Sequence, residues 1–67
     1  MIEKYLEENT YNFVIHGEFN KNGLRHVVIT EYSPCGSKNM FILHEDDNNI
    51  YNEDNDVVYN KDKGCII

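Results

Sequence analysis

The chain has 67 residues, a mass of 7.9 kDa and a formal net charge of −6. That length holds one domain, residues 1–67, and a chain this short buries only about 60% of the surface its unfolded form exposes. The acidity argues against direct binding to DNA, RNA or an anionic membrane, because each needs Lys and Arg set against phosphate.

Residues 2–9 read as a helix. Ile2, Tyr5 and Leu6 fall at helical spacing, Glu3, Lys4, Glu7 and Glu8 occupy the other faces, and Asn9-Thr10 is the stop. Two turns are marginal alone, so this helix needs a sheet to pack on. Residues 11–19 read as a strand with Tyr11, Phe13, Ile15 and Phe19 on one face and Gly17 in the gap. Asn12, Val14, His16 and Glu18 take the other face. Asn20-Lys21-Asn22-Gly23 predicts a hairpin with a type I turn and Gly23 in the left-handed region, leading into a strand over 24–32. Pairing Asn20 with Leu24 sets Ile15 opposite Ile29, Gly17 opposite Val27, and Glu18 against His26 with Arg25 beside it.

Ser33-Pro34-Cys35-Gly36-Ser37 is a turn by composition, and Pro34 has no N–H to give a ladder. A third strand over 39–44 is apolar on both faces in Met-Phe-Ile-Leu, the pattern of a central or helix-covered strand. An acidic loop over 45–56 follows, with Ile50-Tyr51 embedded as anchors or as a brief strand. Val57-Val58-Tyr59 opens a last strand over 57–60. Lys61–Ile67 is a tail whose Cys65-Ile66-Ile67 is apolar enough to pack back. The expected fold class is α+β, a short N-terminal helix packed on a small antiparallel β-meander of three to four strands.

Charge is unevenly spread along the chain. Up to Lys38 the acids Glu3, Glu7, Glu8, Glu18 and Glu31 are nearly matched by Lys4, Lys21, Arg25 and Lys38. Beyond that Glu45, Asp46, Asp47, Glu53, Asp54, Asp56 and Asp62 face only Lys61 and Lys63. Such a segment either solvates a small protein or docks on basic groups of a partner. Tyr51 and Tyr59 within it are residue types that suit an interface. The same acids invite a calcium reading. Asn52, Asp54 and Asp56 have the opening spacing of an EF-hand loop, but its Gly and closing Glu are missing.

His16, His26, His44, Cys35 and Cys65 match no closed zinc spacing. Cys35 lies in a turn with no evident base, and the glycines form no phosphate-cradling motif, so no enzymatic activity, metal or cofactor is expected. Tyr11, Phe13 and Tyr32 would suit base stacking, but the basic groove that accompanies such rings is missing. Glu3, Lys4, Glu7 and Glu8 interrupt any leader-like apolar stretch, so the expectation is a cytoplasmic protein with reduced thiols.

The pattern predicts a non-catalytic binding protein. In the first form its acidic surface (Glu45, Asp46, Asp47, Tyr51, Glu53, Asp54, Asp56, Tyr59 and Asp62) occupies a basic, nucleic-acid-binding groove of another protein, with carboxylates imitating phosphates. Its profile is similar to that of phage-borne inhibitors of the anti-CRISPR and anti-restriction type, though no motif is shared with them. In the second form it is a homodimer or an accessory subunit that binds through its sheet, and the acidity serves solubility alone.

Overall fold

The computed structural model describes residues 1–66. One helix, α1 (Ile2–Asn9), is followed by β1 (Asn12–Lys21), β2 (Leu24–Tyr32), β3 (Lys38–Glu45), β4 (Asn49–Tyr51), β5 (Val57–Asn60) and β6 (Gly64–Cys65). The strands form one antiparallel sheet in chain order, with α1 packed on one side. The α+β class and the meander are as expected, but the sheet has six strands rather than three to four.

The two additional strands lie in the segments read as acidic loop and tail. Both are short and held by side-chain-capped turns. Asp46 Oδ1 accepts from the amides of Asn48 and Asn49, at 2.8 and 2.7 Å, which turns the chain into β4. Asn60 Oδ1 does the same for Asp62 and Lys63, at 3.0 Å each, and Gly64 enters β6 with a φ of 79°. Asn and Asp stabilise turns in this way because their side chains reach a backbone amide two or three residues on. Of the apolar tail, Ile67 lies outside the described residues.

α1 forms where the apolar residues repeat at helical spacing, and Ile2 and Leu6 are fully buried. Its last turn is closed from beyond the helix. The Thr10 amide and hydroxyl both donate to the Leu6 carbonyl (3.0 and 2.6 Å), and the Asn9 side chain donates to the Tyr5 carbonyl (2.8 Å). Beneath the helix the core comprises Val27, Ile29, Leu43, Ile50, Val58 and Tyr59. Tyr5 meets Tyr59 edge to face, with centroids 5.7 Å apart.

β1 departs from its simple alternation. The β1–β2 turn is the two-residue pair Asn22-Gly23, both with positive φ (55° and 77°), so Lys21 pairs with Leu24. That is the mirror-image hairpin turn Asn-Gly favours, in place of the expected type I turn. Ile15 still pairs with Ile29, as expected, because an extra residue is taken up between Ile15 and Gly17. This β-bulge at His16 sets Gly17 opposite Val28 rather than Val27, and Glu18 opposite Val27 rather than His26. Phe19 then pairs with His26 and leaves the face shared by Phe13 and Ile15.

The core is small, so single truncations should be costly. Leu6→Ala removes a fully buried side chain, and a cost of about 2–5 kcal/mol is expected. That equals most of the roughly 3–5 kcal/mol a core of this size supplies. Urea unfolding should find Leu6→Ala largely unfolded in buffer and Glu7→Ala, on the exposed side of α1, within about 0.5 kcal/mol of the wild type.

Candidate functional site

The two sides of the sheet carry different chemistry. On the helix side, the cross-strand rows are Phe13–Glu31–Asn39, Ile15–Ile29–Phe41, Glu18–Val27–Leu43 and Asn20–Arg25–Glu45–Ile50–Tyr59. Arg25 is the hub of this side. Its Nη1 and Nη2 donate to the two carboxylate oxygens of Glu3 on α1, at 3.0 and 2.6 Å. Its Nε donates to Glu18 at 2.6 Å and its Nη1 to Glu45 at 3.3 Å. Glu45, only 12% exposed, also lies 3.4 Å from the N-terminal amine. The Arg25 guanidinium holds the Glu3 carboxyl down, from 4.5 to about 2.

On the other side no helix among the described residues covers β1–β3, and only Glu53 and Asn55 of the β4–β5 loop border the hollow there. The rows here are Asn12–Tyr32–Lys38, Val14–Thr30–Met40, Gly17–Val28–Ile42, Phe19–His26–His44–Tyr51 and Lys21–Leu24. Among the described residues these rows contain two lysines, two of the three histidines and no carboxylate. The third histidine, His16 at the bulge, points to the same side, with Nε2 2.6 Å from Thr30 Oγ1. Large apolar groups stand in solvent: Met40 is 67% exposed, and Val14 and Phe19 44% each.

The row Phe19–His26–His44–Tyr51 is a ladder of four stacked rings crossing four strands. Successive centroids are 5.1, 4.7 and 5.1 Å apart and successive planes lie within 19° of each other. Two of the four rings are fixed by hydrogen bonds. Tyr51 donates its hydroxyl to Asp46 at 2.6 Å. His26 Nδ1 lies 3.0 Å from the Leu24 carbonyl, which can only accept, so the proton sits on Nδ1. Burial and the neighbouring His26 hold His44 below the usual histidine range, against the pull of Asp46. A shallow hollow of about 370 Å³ lies along the ladder, lined among others by Phe19, Lys21, Ile42, His44 and Glu53. A second, of about 300 Å³, lies between His16, Tyr32, Lys38 and Met40.

The acidic residues do not form one surface. The antiparallel order sends Asp46, Asp47 and Asp62 to one end of the short strands and Glu53, Asp54 and Asp56 to the other. Several are engaged internally. Glu45 belongs to the Arg25 cluster, Asp46 holds its own turn and Tyr51, and Glu53 accepts from the Ile42 amide at 2.9 Å. Tyr59 is buried in the core and Tyr51 stands in the ring ladder. Asp47, Asp54, Asp56 and Asp62 are exposed. Asn52, the first residue of the calcium-like spacing, accepts from the Asp54 and Asp56 amides instead, at 2.9 and 3.0 Å. Among the described residues no three His, Cys, Asp or Glu side chains converge as metal ligands. Of the rings considered for base stacking, Phe13 turns to the helix side and only Tyr32 stands in the uncovered rows. Phe19, His26 and His44 were not recognisable as a group from sequence, because the bulge decides on which face Phe19 lies and the β2–β3 register brings the two histidines together.

Cys35 and Cys65 are free and exposed. Cys35 Sγ lies 3.0 Å from Ser33 Oγ and 3.4 Å from Ser37 Oγ in the turn before β3. The two hydroxyls and the Ser37 backbone stabilise the thiolate and lower its pKa from 9.0 to about 7. No helix of the described residues is long and apolar enough to cross a membrane. No protein-family model matches the chain, and no curated protein or solved structure is detectably similar to it.

Two titrations follow. Because the folded Glu3 pKa is depressed, its stabilisation is fully present above pH 4.5 and is lost as the pH falls toward about 2. Unfolding measured across that window should show a shallow acid limb in the wild type that is reduced in Glu3→Gln, with stability at neutral pH lower by no more than about 1 kcal/mol. Separately, Cys35 alkylation by iodoacetamide should reach half its limiting rate near pH 7, and Ser33→Ala should move that midpoint upward.

Proposed function

We propose that the protein is a non-catalytic binding protein that engages another protein surface through the uncovered face of its sheet. The observation that supports this reading is the composition of that face: four stacked rings and exposed Val14 and Met40, with no carboxylate in its rows. The centres of protein interfaces are likewise depleted of charged groups and enriched in aromatic residues and Met, while their rims are polar. Exposed apolar surface of this kind on a small protein marks a place of contact. Asp47, Asp54 and Glu53 then stand at the rim, where charge governs encounter and solubility more than affinity.

A second reading rests on Asp47, Asp54, Asp56 and Asp62, which are exposed. These are available to pair with Arg and Lys of a basic, nucleic-acid-binding groove, as a phage-borne inhibitor would require. Their division between two ends of the sheet gives that reading less support, because phosphate imitation needs charges at intervals along one surface.

Affinity capture with matched baits from the cells that express the chain separates the two. Partners held by the wild type and by the fourfold variant Asp47→Asn, Asp54→Asn, Asp56→Asn, Asp62→Asn, but lost with Ile42→Glu, are the expected result. Partners lost with the fourfold variant and kept by Ile42→Glu would transfer the function to the acidic ends.

A further inference from the structure

The occupant of the uncovered face can be named, on the reading that this face docks protein: we infer that it is a second copy of the same chain, packed face to face about a two-fold axis running along the strands between β2 and β3.

Three observations carry this. The first is area. The molecule measures 34 × 26 × 19 Å. Its thickness is that of one sheet and one helix, so the far side of the sheet is bare. The two longer dimensions outline at most roughly 900 Å², and a standard interface takes about 800 Å² from each partner. A standard contact would therefore occupy nearly the whole of this face. A two-layer chain of 67 residues also gains a second core by meeting its own copy.

The second is charge. Two chains of charge −6 repel each other. The helix side carries Glu3, Glu7, Glu8, Glu18, Glu31 and Glu45, and the strand turns carry the acidic loops. The uncovered rows hold no carboxylate, whereas three of the four helix-side rows hold one. Two copies meeting through these rows do not set acid against acid, whereas contact between two helix sides does.

The third is self-complementarity. A two-fold contact requires that if residue i touches j, j touches i. The proposed axis exchanges β1 with β4 and β2 with β3, so it passes through the midpoint of the ring ladder. Phe19 of one copy comes over Tyr51 of the other, and His26 over His44. Lys21 on the β1 side and Glu53 on the β4 side both border the ladder hollow.

Acid should open such a contact. His26 faces Phe19 and His44, and His44 faces His26, Tyr51 and Asp46, with Lys21 and Glu53 at the rim. Asp46 favours the charged form of His44. Enclosure between two sheets and a histidine on either side oppose it.

Sedimentation equilibrium of the purified full chain tests the proposal. At neutral pH the mass should rise with concentration to twice 7.9 kDa. The dimer should hold or tighten as salt screens the net charge, and should dissociate as the pH falls below about 6.5, where His44 takes up its proton. Ile42→Glu and Met40→Lys, each verified as folded by circular dichroism, should weaken association by about 30-fold or more, and Glu7→Gln should not. A monomer at every concentration, or a dimer indifferent to both face variants, would overturn the inference. A monomer that still captures a different protein through Ile42 would refute the second copy while leaving the docking face standing.

Discussion

The extra residue at His16 sets the composition of both sides of the sheet. Before it, Phe13 and Ile15 point toward α1; after it, Glu18 points that way and Phe19 the other. Regular alternation would bring Phe19 beneath the helix and leave Glu18 beside His26, among the rings. The bulge instead delivers a carboxylate to Arg25 and a ring to His26. The Glu18 arm of the charged hub and the Phe19 rung of the ring ladder are thus two consequences of one inserted residue. Bulges are suited to this because the side-chain period of a strand is two, and one added residue re-aims every side chain beyond it.

The hub matters for register more than for raw stability. Glu3 and Glu18 are about half exposed, and ion pairs in such settings are screened and worth little individually. Their geometry does more. An eight-residue helix has little stability of its own. The paired donors of Arg25 fix its first turn to β2 and, through Glu45, to β3. Arginine fits the position because its planar fork satisfies several carboxylate oxygens at once, which a lysine ammonium cannot do in the same plane.

These devices differ in how far the sequence announces them. α1, β2 and β3 were legible because period and composition agree over eight or nine residues. The bulge was concealed, since Phe13, Ile15, Gly17 and Phe19 keep perfect alternation. Its one trace is a conflict. Asn22-Gly23 favours a two-residue turn that pairs Lys21 with Leu24, while Ile15 and Ile29 remain partners only if a residue is spare. The expected type I turn removed that conflict and with it the clue. β4, legible only as one option for Ile50-Tyr51, and β6, not legible at all, were obscured for another reason. They span three and two residues, and contacts distant in sequence hold them, such as the Asn60 side chain donating to Asn49 at 2.7 Å. The acidic segment was recognisable by composition, but its division between two ends of the sheet depends on those short strands.

A bare sheet invites indiscriminate pairing, and the fold restricts it at the edges while leaving the face open. β1 is an edge strand along its whole length, yet it is twisted by its bulge and ends in Lys21. β3 extends beyond the short β4, and there Glu53 reaches across to take the Ile42 amide. Edge-to-edge addition is therefore impeded by a bulge, a lysine and a capping carboxylate, and contact through the helix side meets its array of glutamates. The one direction without such an obstacle is perpendicular to the sheet, onto the ring ladder. A chain whose acids served solubility alone would have no reason to spare that face. Their absence from its rows, which depends in β1 on the bulge, makes the face chemically distinct from the rest of the surface.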